Sequence, residues 1–362
     1  MDKKKKFHFL LLYPLNTAPS QRFRFEQFFP FLEAKGISYT TNSFYDKQTF
    51  KSLYRKGGKV KLVLRMLRCY IARFAHIIAL SKYDAILIQR GAAPFGPPIF
   101  EWVIHFILRK PIIYDFDDAI WRDPILNDKV PFYKKWAKSH GKVGKICKWA
   151  NKVIVGNNYL ASYAMQFTNS VEVIPTVVDT EHKFIPDENR ANKRITIGWT
   201  GSHTTLFYLE SLEPVLLQLK EKFDFNLKVI ADKEPSFSAL DYDFVRWTEE
   251  AELKELQKID IGIMPLPDDE WTKGKCGFKA IQYMAVGKPA VVSAVGVNSE
   301  IVEHGISGFV CATTEDWIRY LALLLNNTEL IKQQGMAARQ KIEAQYSLKM
   351  AAAAWYKVLQ SV

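Results

Sequence analysis

The chain has 362 residues, 48% hydrophobic and 24% charged, which suits two ordinary globular domains and excludes a disordered or fibrous protein. No apolar run reaches the roughly 18 to 20 residues of a membrane helix, and Cys69, Cys147, Cys276 and Cys311 are too scattered for a zinc site or a disulfide framework, so a reduced, cytoplasmic setting is expected. The formal charge of +12 is uneven: residues 1–175 hold 29 Lys/Arg against 12 Asp/Glu, and residues 176–362 hold the remaining 21 against 26. The first half must therefore meet an anionic partner or bear strong self-repulsion.

Four lysines at positions 3–6 precede an apolar run that is short, is followed by Pro14 and lacks a small-residue cleavage site. It is read as a first core strand over residues 7–13 rather than as a leader. After a loop over residues 16–20, Ser20 is placed to cap a helix with Phe25, Phe28, Phe29 and Leu32 at i, i+3, i+4, i+7 and Gly36 as its stop. A second strand over 37–44 completes a strand-helix-strand unit. The unit has no Gly-x-Gly-x-x-Gly, which argues against a nicotinamide cofactor. Arg22 and Arg24 flank the loop, either as exposed helix-start residues or as ligand contacts.

From Lys47 to Lys82 there are ten basic residues and no acid, with Arg65, Arg68 and Arg73 interleaved among apolar positions. From Lys129 to Lys152 there are eight lysines, no acid, and Phe132, Tyr133, Trp136 and Trp149. Basic amphipathic helices with interfacial aromatics suit an anionic membrane surface, and the expected setting is the inner face of the membrane, bound peripherally. An ordinary solvated helix face explains the second stretch equally well. No nucleic-acid motif accompanies the charge.

Buried strands are expected at 85–88, 112–114, 153–156 and 171–175. The second of these ends in Asp115-Phe116-Asp117-Asp118, at a strand's carboxyl end, where sites form in open α/β sheets. No histidine or further acid stands at ligand spacing, so no metal is expected there. Asp115 and Asp118 are expected to cap loops and helix starts, and Asn158 a short helix. Residues 176–193 are polar and irregular, a linker. A new series then opens with a strand over 195–199, a Thr200-Gly201-Ser202 turn and a helix through Leu209, Leu212 and Leu216 that Pro214 kinks or restarts. The turn is a candidate phosphate cradle. Further strands are expected at 227–230, 245–247, 261–264 and 290–293.

The densest stretch runs from Gly274 to Pro289. Ile281, Met284 and Ala285 give a short helix an apolar stripe, Gly287 suits its left-handed stop, and Pro289 prevents continuation. Lys275 lies on the loop before the helix and Lys279 in its first turn. Two ammonium groups beside helix-start N–H groups can hold an anion, or both can be solvated helix-end charges.

These residues resemble the donor-binding loop and helix of the retaining GT-B glycosyltransferases of the group 1, family-four type. The match is Met284-Ala285-x-Gly287-x-Pro289, although Gly274 and Gln282 stand where that family usually has two glutamates. A lysine-rich variant, Lys275-Cys276-Gly277-x-Lys279-Ala280-x-Gln282-Tyr283-Met284-Ala285, is also similar to members of the superfamily. Ala18-Pro19-Ser20-x-Arg22-x-Arg24 resembles the first loop of a subgroup, Asp117 falls at the place of a family histidine, and Glu300 with Gly305 and Gly308 resembles the family's C-terminal domain. The resemblance implies two doubly wound, Rossmann-like domains facing a central cleft. Residues 1–176 would form an acceptor- and membrane-facing domain on which the helix 348–362 packs back, and residues 177–347 a nucleotide-sugar donor domain. It further implies a retaining, metal-independent, hexosyltransferase-like enzyme with no cofactor beyond its nucleotide-diphosphate sugar. The acceptor would be a glycan or lipid-linked, in cell-surface polysaccharide or glycolipid synthesis. Implied roles are Lys275 and Lys279 with the Gly201-Ser202 turn at the diphosphate, Gln282 and Glu300 at the nucleoside or sugar, Gly277 and Phe278 in the donor site generally, Asp117 on the acceptor side, and Ser20, Arg22 and Arg24 at the acceptor or phosphate loop. Family members also place an Arg near Trp199 and a Lys near Thr205, both missing here, so a noncatalytic GT-B-like scaffold is the alternative.

Overall fold

Strands of a parallel sheet are buried on both faces and read as continuous apolar runs, whereas helices laid on that sheet keep one polar side. The computed structural model describes residues 5–53, 58–122, 141–187 and 194–362. Residues 129–140 of the second basic stretch, with Phe132, Tyr133 and Trp136, lie outside the described residues.

One compact unit comprises Met1–Thr176 with Ala351–Val362, and the other Val177–Met350. The first is built on β1 (Lys6–Leu11), β2 (Ser38–Ser43), β3 (Ala85–Gln89), β4 (Ile112–Phe116), β5 (Lys152–Val155) and β6 (Val171–Val173). Their order is β2-β1-β3-β4-β5-β6, all parallel. The order reverses between β1 and β3, so a crevice opens beyond the carboxyl ends of those two strands. The second unit holds β7 (Thr196–Gly201), β8 (Asn226–Ala231), β9 (Asp243–Arg246), β10 (Ile261–Met264), β11 (Ala290–Ser293) and β12 (Gly308–Cys311). Read from β9, its parallel sheet runs β9-β8-β7-β10-β11-β12, the doubly wound dinucleotide-fold order, with its switch point between β7 and β10.

Several local expectations change. The helix expected after β1 is three pieces, Pro19–Arg24, a 3₁₀ turn Glu26–Phe28, and Phe29–Ala34. Pro30 has no N–H to give to the preceding turn and its ring crowds that turn's carbonyl, so a continuous helix is broken there. Ala18 occupies the cap position and Pro19 opens the helix, so Ser20 is not its cap. Asn157, rather than Asn158, caps the helix Asn158–Ala164, accepting from the Leu160 N–H at 2.9 Å. In residues 176–187, Val177, Val178 and Phe184 are buried and Val178 N–H donates to the Tyr346 carbonyl at 3.1 Å, so this part of the linker is packed chain. The last helix, Leu348–Gln360, sets Trp355 against Phe25 at 5.1 Å and Phe28 at 6.0 Å within the first unit.

The basic stretch contains a 20-residue helix, Lys59–Ile78. Arg73 is not on its solvent side: it is buried, and its Nη2 donates to the Leu11 carbonyl at 2.9 Å. The same carbonyl, at the carboxyl end of β1, accepts from the Phe44 N–H at 2.8 Å, so the guanidinium takes its second lone pair.

Candidate functional site

In the first unit the sheet's carboxyl edge gathers an ionic cluster. Arg90 directly follows β3 and has φ 58°, a left-handed conformation that costs a non-glycine residue about 1–3 kcal/mol and persists only where its surroundings enforce it. Its N–H donates to the Asp115 carbonyl at 2.8 Å, and Tyr114 Oη donates to its own carbonyl at 3.0 Å. The guanidinium then reaches Asp117 Oδ1, from Nε at 3.0 Å and from Nη2 at 2.8 Å, and also pairs with Asp118 Oδ2. Burial alone would raise the Asp117 carboxyl, but Arg90, Arg24 and a hydrogen bond with Ser20 outweigh it and hold the group below the usual carboxylate range. Asp117 is therefore an ionised acceptor, 9% exposed, at the sheet's carboxyl edge.

Asp115 and Asp118 both engage arginines. Asp118 pairs with Arg90, and Asp115 is wholly buried, accepting from Arg24 Nε at 3.3 Å while Arg24 Nη2 holds its other oxygen. Burial pushes Asp115 up to about 6, with Arg24 opposing. Arg24 also donates to the Ile174 carbonyl. It is thus a brace between the loop after β1, strand β4 and the chain after β6, which corrects its reading as an acceptor or phosphate contact. Ser20 accepts from Gln89 Nε2 at 3.1 Å beside Asp117, and Arg22 is half-buried over the Phe23 ring at 5.2 Å.

Arg90 went unnoticed in the sequence, although a charged residue followed by glycine directly after a buried strand is a usable signal. Glu101 was missed as well. It is buried, accepts from the Ala92 N–H at 2.7 Å, and so clamps the loop after Arg90 from below. Lys142 Nζ donates to the Ala93 carbonyl of the same loop at 3.0 Å.

In the second unit Gly201 ends β7 at the switch point. A side chain there would collide with the Trp199 ring and would come within 2.9 Å of Lys279 Cε. Gly201 and Lys279, 78 positions apart, are thus neighbours, and Lys279 Nζ lies 5.2 Å from the Trp199 ring centroid. The helix Phe278–Ala285 that carries Lys279 is fixed by Tyr283. A Cβ at Gly262 of β10 would overlap the Tyr283 ring, so the helix sits unusually close to the sheet. Tyr283 Oη donates to the Ile263 carbonyl at 3.2 Å and accepts from the Thr200 N–H at 2.9 Å, stitching the helix to β10 and to the end of β7. Gly277 precedes the helix at φ 63°, and any side chain there would strike Ile301 Cδ1.

The other expected donor residues are placed differently. Lys275 and Phe278 are half-buried, with Lys275 Nζ 5.4 Å from the Trp271 ring centroid. Ser202 is exposed, its Oγ 2.7 Å from Thr204 Oγ1, and its carbonyl accepts from the Thr205 N–H at 2.9 Å. Glu300 is exposed on the short helix Asn298–Ile301. Gln282 is buried and its Nε2 donates to Glu252 Oε1 at 3.0 Å; Trp247 Nε1 reaches the same oxygen at 3.1 Å. Its amide donor is thus spent on a carboxylate of the helix Glu249–Leu256. Among the described residues no group of three His, Cys, Asp or Glu side chains is arranged to hold a metal ion.

Solved structures share this architecture over nearly their whole length. Sucrose-phosphate synthase from Thermosynechococcus elongatus superposes with a TM-score of 0.74 at 13% identity, over 99% of this chain and 98% of that one. Anabaena HepE, solved in complex with UDP-glucose, gives 0.70 at 13% identity over 99% and 100%. A glycosyltransferase from Rickettsia africae gives 0.67 at 14% identity over 99% and 98%. The fold is GT-B. Residues 195–327, which lie within the second unit and include Gly201 and Lys279, match the family of glycosyl transferases group 1. No curated relative matches the chain.

Proposed function

We propose that this GT-B protein transfers a sugar from a nucleotide-diphosphate donor, held by the second unit, to a glycan or lipid-linked acceptor met by the first. Retention of anomeric configuration belongs to the same reading. The observation that carries it is the Lys279 side chain packed against Gly201 at the β7/β10 switch point, its ammonium 5.2 Å from the Trp199 ring centroid, inside the segment that matches the glycosyltransferase family. A diphosphate leaving group needs positive charge that is already in place when the glycosidic bond breaks, and a cation fixed by Trp199 and by a stitched helix requires little reorganisation. Sugar nucleotides seen in complex with Anabaena HepE make a uridine donor the first to test.

A thermal-shift screen against nucleotide sugars is expected to find one that raises the melting temperature, since a ligand at 100 times its Kd adds about 2.7 kcal/mol to the folded state. That donor should also be slowly hydrolysed, with the released sugar's anomer reporting retention. If no nucleotide sugar stabilises the protein or is turned over, the noncatalytic scaffold reading replaces this one.

Asp117 separates acceptor chemistry from structural pairing. Asp117→Asn should lower turnover at least about tenfold, equivalent to about 1.4 kcal/mol, while leaving donor affinity intact. Asp118→Asn removes Arg90's other partner and is the control. Equal losses in the two variants would mean that both act only through Arg90, removing Asp117 from contact with the acceptor.

A further inference from the structure

The helix Lys59–Ile78 buries one side and leaves a second apolar side bare. Val60, Leu64, Leu67, Ile71, Phe74 and Ile78 recur every three or four residues, each between 49% and 76% exposed. That spacing places all six on one stripe. Lys61, Arg65 and Arg68 each follow a stripe residue by one position, so the cations line a single flank about 100° around the helix. Arg65 is held there by Ser52 Oγ and by the Gln48 carbonyl at 3.3 Å.

The stripe does not end with this helix. Phe74 packs on Phe100 at 4.6 Å, and Tyr70 Oη donates to the Phe95 carbonyl at 2.7 Å. On either side of Phe100 that segment exposes Phe95, Ile99, Trp102, Phe106 and Ile107, and Arg109 and Lys110 close it. Of the 22 large apolar side chains exposed among the described residues, seven lie on this helix, the six of the stripe and Val63, and five on the segment packed against it. A soluble surface rarely gathers so many, and the gathering needs an occupant.

We infer that this face docks on an anionic lipid bilayer. The charges decide between occupants. A second copy of the chain would set Lys61, Arg65 and Arg68 against the same cations, with no acid between positions 47 and 83 to pair with them. A bilayer bearing anionic headgroups supplies acyl chains for the stripe and negative charge for its flank, and Trp102 suits the headgroup boundary. No described helix is long and apolar enough to cross the membrane, so the helix lies along the surface. Residues 91–94 run directly from Arg90, which grips Asp117, to Phe95 on the docking face. This places the acceptor-side cluster beside the bilayer, in accord with a lipid-linked acceptor. The docking itself stands independently of the transferase reading.

The test is co-sedimentation of the full chain with phosphatidylcholine vesicles, with and without phosphatidylglycerol. Wild-type protein is expected to bind only the anionic vesicles and to release as salt rises, because exposed charges are screened within about 8–10 Å at physiological ionic strength. Leu64→Gln/Leu67→Gln/Ile71→Gln and, separately, Lys61→Glu/Arg68→Glu should each weaken binding at least about tenfold with unchanged melting temperature. All five positions are on the surface, so both variants should fold. Equal binding to neutral vesicles, no binding to either kind, or unaltered binding by both variants overturns the inference. So does a wild-type dimer that the glutamine variant disperses without any vesicle binding, which would make the face a contact between copies.

Discussion

Lys279→Ala is expected to lower turnover by at least roughly tenfold, the equivalent of about 1.4 kcal/mol, with little change in melting temperature. The ammonium lies over the Trp199 ring beside Gly201, and its chain is only half-buried, so the fold loses about 0.5–1 kcal/mol of cation–π attraction. A charge-assisted bond to a diphosphate is worth more, about 1.5–3 kcal/mol. If that bond strengthens as the leaving group departs, its loss falls on turnover more than on donor affinity. Lys279→Arg should recover only part, because a planar fork cannot reproduce a point charge in the space between Gly201 and Trp199. Lys275→Ala, over Trp271, is expected to matter less. The measurements are product formation and donor calorimetry with the donor identified in the screen. If Lys279→Ala and Lys275→Ala both leave binding and turnover intact, the phosphate site lies elsewhere.

The alternation of apolar runs with amphipathic segments was enough to read two α/β halves, because parallel strands must be apolar on both faces. Strand β11 falls on the expected residues 290–293, and β10 on 261–264. Edge strand β9 runs Asp243–Arg246 rather than 245–247, since a strand with only half its surface covered carries a weaker apolar signal. Strand order was out of reach, and with it the switch point that makes Gly201 and Lys279 neighbours. Pairings across long separations were equally invisible: Arg24 with Asp115 is 91 positions apart and Gln282 with Glu252 is 30. Local charge therefore pointed to the right loops. It misassigned Arg24, Arg73 and Gln282, which are buried and donate hydrogen bonds inside the fold.

The Arg24–Asp115 pair gives the sharpest test of that buried chemistry. Arg24→Met leaves Asp115 in the core without its cation, and breaking a buried pair from one side typically costs about 3–5 kcal/mol. Arg24→Met/Asp115→Leu removes both charges and should recover most of the loss, since the penalty comes from the orphaned partner rather than from the missing bond. The two variants should also differ in their dependence on pH. Asp115 binds its proton more tightly folded, at about 6, than unfolded, at 3.8. Its contribution to stability is therefore fully present below 3.8 and is lost as pH rises through about 6. Without Arg24 to favour the carboxylate, the folded carboxyl rises further, and the window of loss extends toward neutrality. Relative to wild type, Arg24→Met should be most destabilised near about pH 8 and partly restored near about pH 5, whereas the double variant has no Asp115 to titrate. Urea midpoints at the two pH values measure the difference. A single variant equally unstable at both, or a double variant no better than the single, would show that the cost lies in Arg24's bond to the Ile174 carbonyl rather than in a stranded charge.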